Sequence, residues 1–158
     1  MSAEFLQLVN DHGGRILGIA RRYAERDNVD DLYQEILVQL WRSFGSYRGE
    51  AKLETWVYRI GFNTAMTSLR KLTKIREGKE QMSRLATSEK DLGGRGQAEI
   101  LSEFLDSLDD VDTSIMMMYL DGLTGAEMST VLGMKLNAIQ VRINRLKQTF
   151  INRYVEVS

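Results

Sequence analysis

The sequence predicts an all-α protein made of two small helical domains, 1–76 and 98–158, joined by a flexible linker over 77–97. Three observations predict it. The chain of 158 residues contains no proline, its apolar positions recur at helical spacing over long stretches, and nowhere does apolar–polar alternation persist as a half-buried strand requires. Only 77–97, charged and carrying Gly78, Gly93, Gly94 and Gly96, lacks a stable apolar stripe, which is the composition of a linker.

The first helical pattern runs through Phe5, Leu6 and Val9 to Ile16, Leu17, Ile19, Ala20, Tyr23 and Ala24. Gly13 and Gly14 interrupt it, predicting a broken helix or a helix pair. Asp27 and Asn28 stand as caps to a second helix, in which Val29, Leu32, Tyr33, Ile36, Leu37, Leu40, Trp41 and Phe44 face inward and Asp30, Asp31, Gln34, Glu35 and Gln39 face outward. Residues 45–52 form a polar loop. A third helix over 53–72 buries Leu53, Trp56, Val57, Ile60, Thr64 and Leu69. Its other side carries Tyr58, Arg59, Phe62, Asn63, Met66 and Arg70, putting aromatics and cations on a face expected to be wet. Large exposed apolar groups mark binding. The same stripe also reads as half-buried packing against the first helix, so both readings stand.

In the second domain Ile100, Leu101, Phe104, Leu105 and Leu108 form one helix, and Ile115, Met118, Tyr119 and Leu120 belong to the next, which stops near Gly122. Met116, Met117 and Met118 cannot all point inward, so the run reads as core filling with one exposed member. Thr124-Gly-Ala-Glu127 fits a capping box opening a short helix. That helix ends at Leu132-Gly133, and a last helix follows with Ile139, Ile143, Leu146 and Phe150 on its buried stripe.

Charge is segregated along the chain. From Asp27 to Trp41 every charged residue is acidic, and from Thr55 to Arg76 every one is basic. The pattern repeats, acidic from Phe104 to Met134 and basic from Lys135 to Arg153. The formal net charge of -1 therefore describes neither kind of surface. A basic helix suits a polyanion and an acidic one suits another protein, so two kinds of partner are expected.

Composition also excludes. With no cysteine there is no disulfide framework and no thiolate metal site, and no apolar run approaches the roughly 20 residues that cross a bilayer. Residues 1–10 carry Glu4 and no cation, so they do not read as a secretory signal, and a cytoplasmic location without membrane insertion is the expectation. His12, the single histidine, sits beside Gly13 without metal-ligand or nucleophile spacing and is expected at the surface. Neither enzyme activity, a metal nor a cofactor is indicated.

The short helix, glycine turn and basic helix near the C-terminus form a helix-turn-helix, whose second helix presents side chains to the major groove. Asn137, Gln140, Val141 and Asn144 would point outward near its start, where base edges are read, while Arg142, Arg145 and Lys147 would reach phosphates. On periodicity alone the helix also reads as a solvated amphipathic element closing a three-helix core. Its lack of acids tips the reading toward nucleic acid. In the first domain Tyr58 and Phe62 could stack on unpaired bases with Arg59 and Arg70 on the backbone.

Asp30-Asp31-Leu32-Tyr33-Gln34-Glu35 through Trp41, then Tyr47-Arg48-Gly49-Glu50, then Thr55-Trp56-Val57-Tyr58-Arg59-Ile60-Gly61-Phe62-Asn63-Thr64-Ala65, resemble the first conserved domain of bacterial RNA polymerase sigma factors. Together with the helix-turn-helix, the chain resembles their small extracytoplasmic-function class along nearly its whole length. The resemblance implies an alternative sigma factor that binds core RNA polymerase, selects promoters and assists their melting. It implies docking of Asp31, Leu32, Gln34, Glu35, Val38 and Gln39 on the clamp helices of the largest subunit, with the flap region as a further contact. By the same resemblance the minus-ten element is captured as a single strand by Tyr47, Arg48, Lys52, Trp56, Tyr58, Arg59, Phe62, Asn63 and Arg70, the loop pocketing a flipped base. The minus-thirty-five element is read as duplex by Asn137, Gln140, Val141, Arg142, Asn144, Arg145 and Lys147. An anti-sigma factor is a further implied partner.

The chain also departs from the family pattern. Lys135 and Ala138 stand where Ser-x-x-Thr is common, which moves the expected helix cap to Asn137 with Gln140 three residues on. Ser129 replaces a usual alanine. Met66 and Thr67 stand where more polar or basic residues are frequent, so no promoter preference carries over. Two rivals remain: a helix-turn-helix regulator that does not bind core polymerase, and an all-α adaptor without a DNA role.

Overall fold

A computed structural model describes residues 2–77 and 96–155, the side chains of Arg26 and 70–77 excepted. The predicted linker, 77–97, therefore lies outside the described residues save at its ends, where Glu77 closes one helix and Gln97 opens another. Seven α-helices and no strand occur among the described residues. They fall into two compact units divided between Gln81 and Met82.

The first unit holds α1 (Ala3–Tyr23), a single 3₁₀ turn (Arg26–Asn28), α2 (Val29–Phe44) and α3 (Leu53–Glu77), each α-helix packing on the other two. Helix α1 is continuous through Gly13 and Gly14, contrary to the predicted break. A glycine costs a helix about 1 kcal/mol, and packing of Phe5, Leu8, Ile16, Ile19 and Ala20 in the core outweighs it. His12 is buried rather than at the surface. Its Nδ1 lies 3.0 Å from Arg15 Nη1, and because a guanidinium only donates, Nδ1 is the acceptor.

Helix α2 buries Leu32, Ile36 and Leu40, as its spacing predicts. Trp41 and Phe44 are only partly covered, both edge-on to Phe5, with ring centroids 5.0 and 5.5 Å away. Helix α3 crosses its partners at Gly61, where a methyl group would lie 2.6 Å from Ile19 Cδ1. Since Ile19 is fully buried, it has nowhere to retreat.

The second unit comprises α4 (Gln97–Asp106), α5 (Asp110–Leu120), α6 (Gly125–Leu132) and α7 (Leu136–Tyr154). Its core is Phe104, Ile115, Met118, Met128, Val131, Ile139, Ile143 and Leu146. Met116 and Met118 point inward, while Met117 is half-buried rather than the exposed member expected of the run. The capping box is present in full, with Glu127 N–H donating to the Thr124 hydroxyl at 3.1 Å and Thr124 N–H donating to the Glu127 carboxylate at 2.8 Å. Gly133 closes α6 in the left-handed region, φ 67°, a conformation glycine adopts without a Cβ penalty. The hydroxyl of Ser129 donates to the Met134 carbonyl and ties the turn to α6. Helix α7 then begins at Leu136 after Lys135, with no side-chain cap, so the predicted cap at Asn137 is not formed.

Candidate functional site

On α2, residues 31, 34, 35 and 38 fall within an arc of about 100° at 3.6 residues per turn. Asp31, Gln34 and Glu35 are exposed, Gln39 is half-buried, and Val38 is 44% exposed among them. Leu32 departs from the predicted docking set because it is buried. One residue past Asp31 it is rotated about 100° into the inward stripe, where it supports the acidic face from beneath. Asp31 and Glu35 also border a groove of about 470 Å³ whose opposite wall is Asn63, Thr67 and Ser68 of α3. Thr67 and Ser68 were missed as site residues in the sequence, since nothing local indicates which side of α3 faces α2.

The loop 45–52 is fastened to α3. Tyr47 donates its hydroxyl to the Ala51 carbonyl, and its ring lies 5.2 Å from that of Trp56. Gly49 turns the chain at φ 76°, leaving Arg48 and Lys52 exposed. Arg59 and Asn63 continue outward along α3 at a spacing of one helical turn. Tyr58 and Phe62 do not. They are 4% and 2% exposed and stack on each other at 5.3 Å, with Phe62 edge-on to Tyr23 of α1. The expected wet aromatic face is thus core, and of its two readings the packing one is correct. The cause is geometric: α3 touches two helices, so its buried arc is wider than a single stripe. Trp56 is half-buried between Tyr47 and Phe44. Arg70 lies on α3, its side chain outside the described residues.

In the second unit Asn137, Gln140, Val141, Asn144, Arg145 and Lys147 are all exposed on α7. Lys147 rests its ammonium 4.8 Å above the Tyr119 ring. Arg142 turns away from this face. One residue beyond Val141 it is rotated about 100° toward α5, where Nη1 donates to Asp112 at 2.8 Å with Asp109 at 3.9 Å. The hydrogen bond donated to Asp112 raises the guanidinium above its ordinary pKa, opposed by desolvation and assisted by attraction from Asp112 and Asp109. Arg142 therefore serves as a strut between α5 and α7, although sequence position suggested a phosphate contact.

Arg142→Ala is expected to remove a partly exposed charged pair worth up to about 1 kcal/mol. For a domain this small that lowers Tm by several degrees. Asp112→Ala should do the same, and the double variant little more, because the two share one interaction. Unchanged calorimetric Tm in both single variants of the free protein would show the strut to be idle.

The first unit presents an outward acidic face and the second a helix-turn-helix. Residues 8–75 match the sigma-70 region 2 family. The extracytoplasmic-function RNA polymerase sigma-E factor of Haemophilus influenzae is 26% identical over 164 residues, covering 94% of this chain and 86% of that protein. Its Escherichia coli counterpart is 24% identical over 168 residues, with 94% and 85% covered. Among solved structures, the sigma factor RpoE of Bartonella quintana, in complex with the anti-sigma factor NepR, matches with a TM-score of 0.82 at 16% identity, covering 99% of this chain and 100% of that one. CnrH, in complex with the cytosolic domain of CnrY, matches with a TM-score of 0.63 at 21% identity, covering 92% and 84%. Residues 8–75 thus match sigma-70 region 2, and over nearly its whole length the chain is similar to extracytoplasmic-function RNA polymerase sigma factors. It is an alternative sigma factor that directs RNA polymerase in transcription initiation, and the rival reading as a regulator independent of the polymerase is not favoured. Sigma factors are regulatory proteins rather than enzymes. No helix among the described residues is long and apolar enough to cross a membrane.

Proposed function

We propose that this sigma factor docks on the clamp helices of core polymerase through Asp31, Gln34, Glu35, Val38 and Gln39, with Leu32 shaping that face from below. The observation that carries the reading is an outward α2 face holding acids beside an exposed Val38, while the fold is held by Leu32, Ile36 and Leu40 on the other side. An apolar side chain left exposed among carboxylates suits a basic partner with apolar contacts. Arg48, Lys52, Arg59 and Asn63, with Arg70 further along the helix, hold the minus-ten strand, and the Tyr47–Trp56 pair shapes the loop that takes a flipped base. Tyr58 and Phe62 support that surface from inside. Residues 98–158 form the unit that reads the minus-thirty-five duplex and contacts the flap, and residues 1–76 the unit that binds core and the minus-ten element. Because two of the matched structures are complexes, one with an anti-sigma factor and one with the cytosolic domain of CnrY, an anti-sigma partner is part of this proposal, as is action in the cytoplasm beside the polymerase.

Transcription by core polymerase on a promoter library tests the duplex-reading part. Gln140→Ala and Asn144→Ala are expected to re-rank promoters, because an amide paired to a base edge discriminates by roughly 1–3 kcal/mol. Arg145→Ala should weaken all promoters alike, as loss of a phosphate contact does. A library ranking unmoved by both amide substitutions would displace the recognition face from this side of α7.

A further inference from the structure

We infer that Gly125 is a specificity-determining residue of the helix-turn-helix, holding open the space in which the Gln140 side chain lies. The inference rests on the reading of Gln140 as a base contact.

Gly125 is the first residue of α6, directly after the Thr124 cap. Its backbone does not require glycine: the positive-φ glycines are Gly49, Gly122 and Gly133, and Gly125 is not among them. Glycine leaves the unfolded chain more freedom to lose than alanine does, so this position gives up stability without a conformational return. Space accounts for it. A methyl group on Gly125 would stand 2.6 Å from Gln140 Nε2, 3.5 Å from its Cδ and 3.1 Å from Leu136 Cδ1. Non-bonded heavy atoms settle at about 3.5–4.0 Å, so the amide would have to withdraw by roughly 1 Å. Gln140 and Leu136 are both exposed, so both can move without disturbing the core. The capping box runs from Thr124 to Glu127 and does not use the side chain at 125.

The consequence falls on recognition alone. Amide–base hydrogen bonds hold only over donor–acceptor distances of about 2.7–3.2 Å, and a displacement of roughly 1 Å leaves that range. A residue on the first helix of the motif, with no proposed base contact of its own, thereby sets where the amide of Gln140 is presented.

The test uses full-length protein in holoenzyme with core polymerase, on a library with a randomised upstream duplex element, together with circular-dichroism melting of the free protein. Four proteins are compared: wild type, Gly125→Ala, Gln140→Ala and the double variant. Gly125→Ala is expected to melt at or above the wild-type temperature. It should lose discrimination by about 5-fold or more at the base positions that Gln140→Ala affects, the range of one good base contact. The double variant should match Gln140→Ala, since without the amide the added methyl displaces only the exposed Leu136 side chain, by a few tenths of an ångström. If Gly125→Ala keeps the wild-type preferences while Gln140→Ala loses them, the inference fails and the role of Gln140 stands. If Gln140→Ala itself leaves preferences unchanged, the base-reading assignment fails and takes the inference with it. A uniform loss on every promoter with a lower melting temperature would make Gly125 a structural residue and overturn the proposal.

Discussion

Phe62→Ala is expected to cost the first unit about 3–5 kcal/mol, the usual range for emptying a buried aromatic site. Phe62 is 2% exposed and lies between Tyr58 and Tyr23, so the cavity would open at the junction of α1 and α3. Loss of two aromatic contacts adds to the loss of buried area. Because a small unit is stable by only about 5–15 kcal/mol, much of the protein should lose its cooperative melt at ordinary growth temperature. A pre-melted bubble template should not restore transcription, since the defect precedes DNA. Asn63→Ala is the contrasting case: this exposed neighbour should leave the melt intact, impair opening on duplex promoters and be rescued at least partly by the bubble. A Phe62→Ala protein that melts like wild type and is rescued by the bubble would place the ring on the DNA after all.

The double reversal Asp31→Lys with Glu35→Lys is expected to abolish co-purification with core polymerase and promoter-dependent transcription. Both side chains are exposed and opposite the stripe that holds α2 in the bundle, so helicity and melting temperature should scarcely change. Like charges facing each other across a docked interface cost several kcal/mol, a factor of a thousand or more in affinity at 1.4 kcal/mol per tenfold. Normal competition for core by the reversed protein would move the docking face off α2.

What could be read from the sequence was what local physics decides. The Thr124–Glu127 capping box involves residues three apart, and the two faces of α2 follow from one stripe against one bundle. Elements whose environment comes from distant residues were misread or left open. Gly13 and Gly14 weaken a helix, yet α1 stays whole because its apolar face meets both α2 and α3. The burial of Tyr58 and Phe62 follows from the same three-way packing, which no periodicity within 53–72 reveals. Arg142 counts as one more cation in a basic stretch until Asp112, 30 residues away, is placed beside it. The proposed docking and promoter faces came from the family resemblance, whereas charge segregation indicated only that two kinds of partner are to be expected.

The strut between Arg142 and Asp112 has a consequence for ionic strength. Each phosphate neutralised by a protein cation releases about 0.9 of a counterion from duplex DNA, and this sets how steeply binding falls with salt. A guanidinium already neutralised by a carboxylate of its own chain adds nothing to that release. Helix α7 therefore offers a polyanion less salt-sensitive attraction than its formal charge suggests. On the proposed reading, its grip on an upstream duplex should fall less steeply with salt than the four cations of α7 would imply.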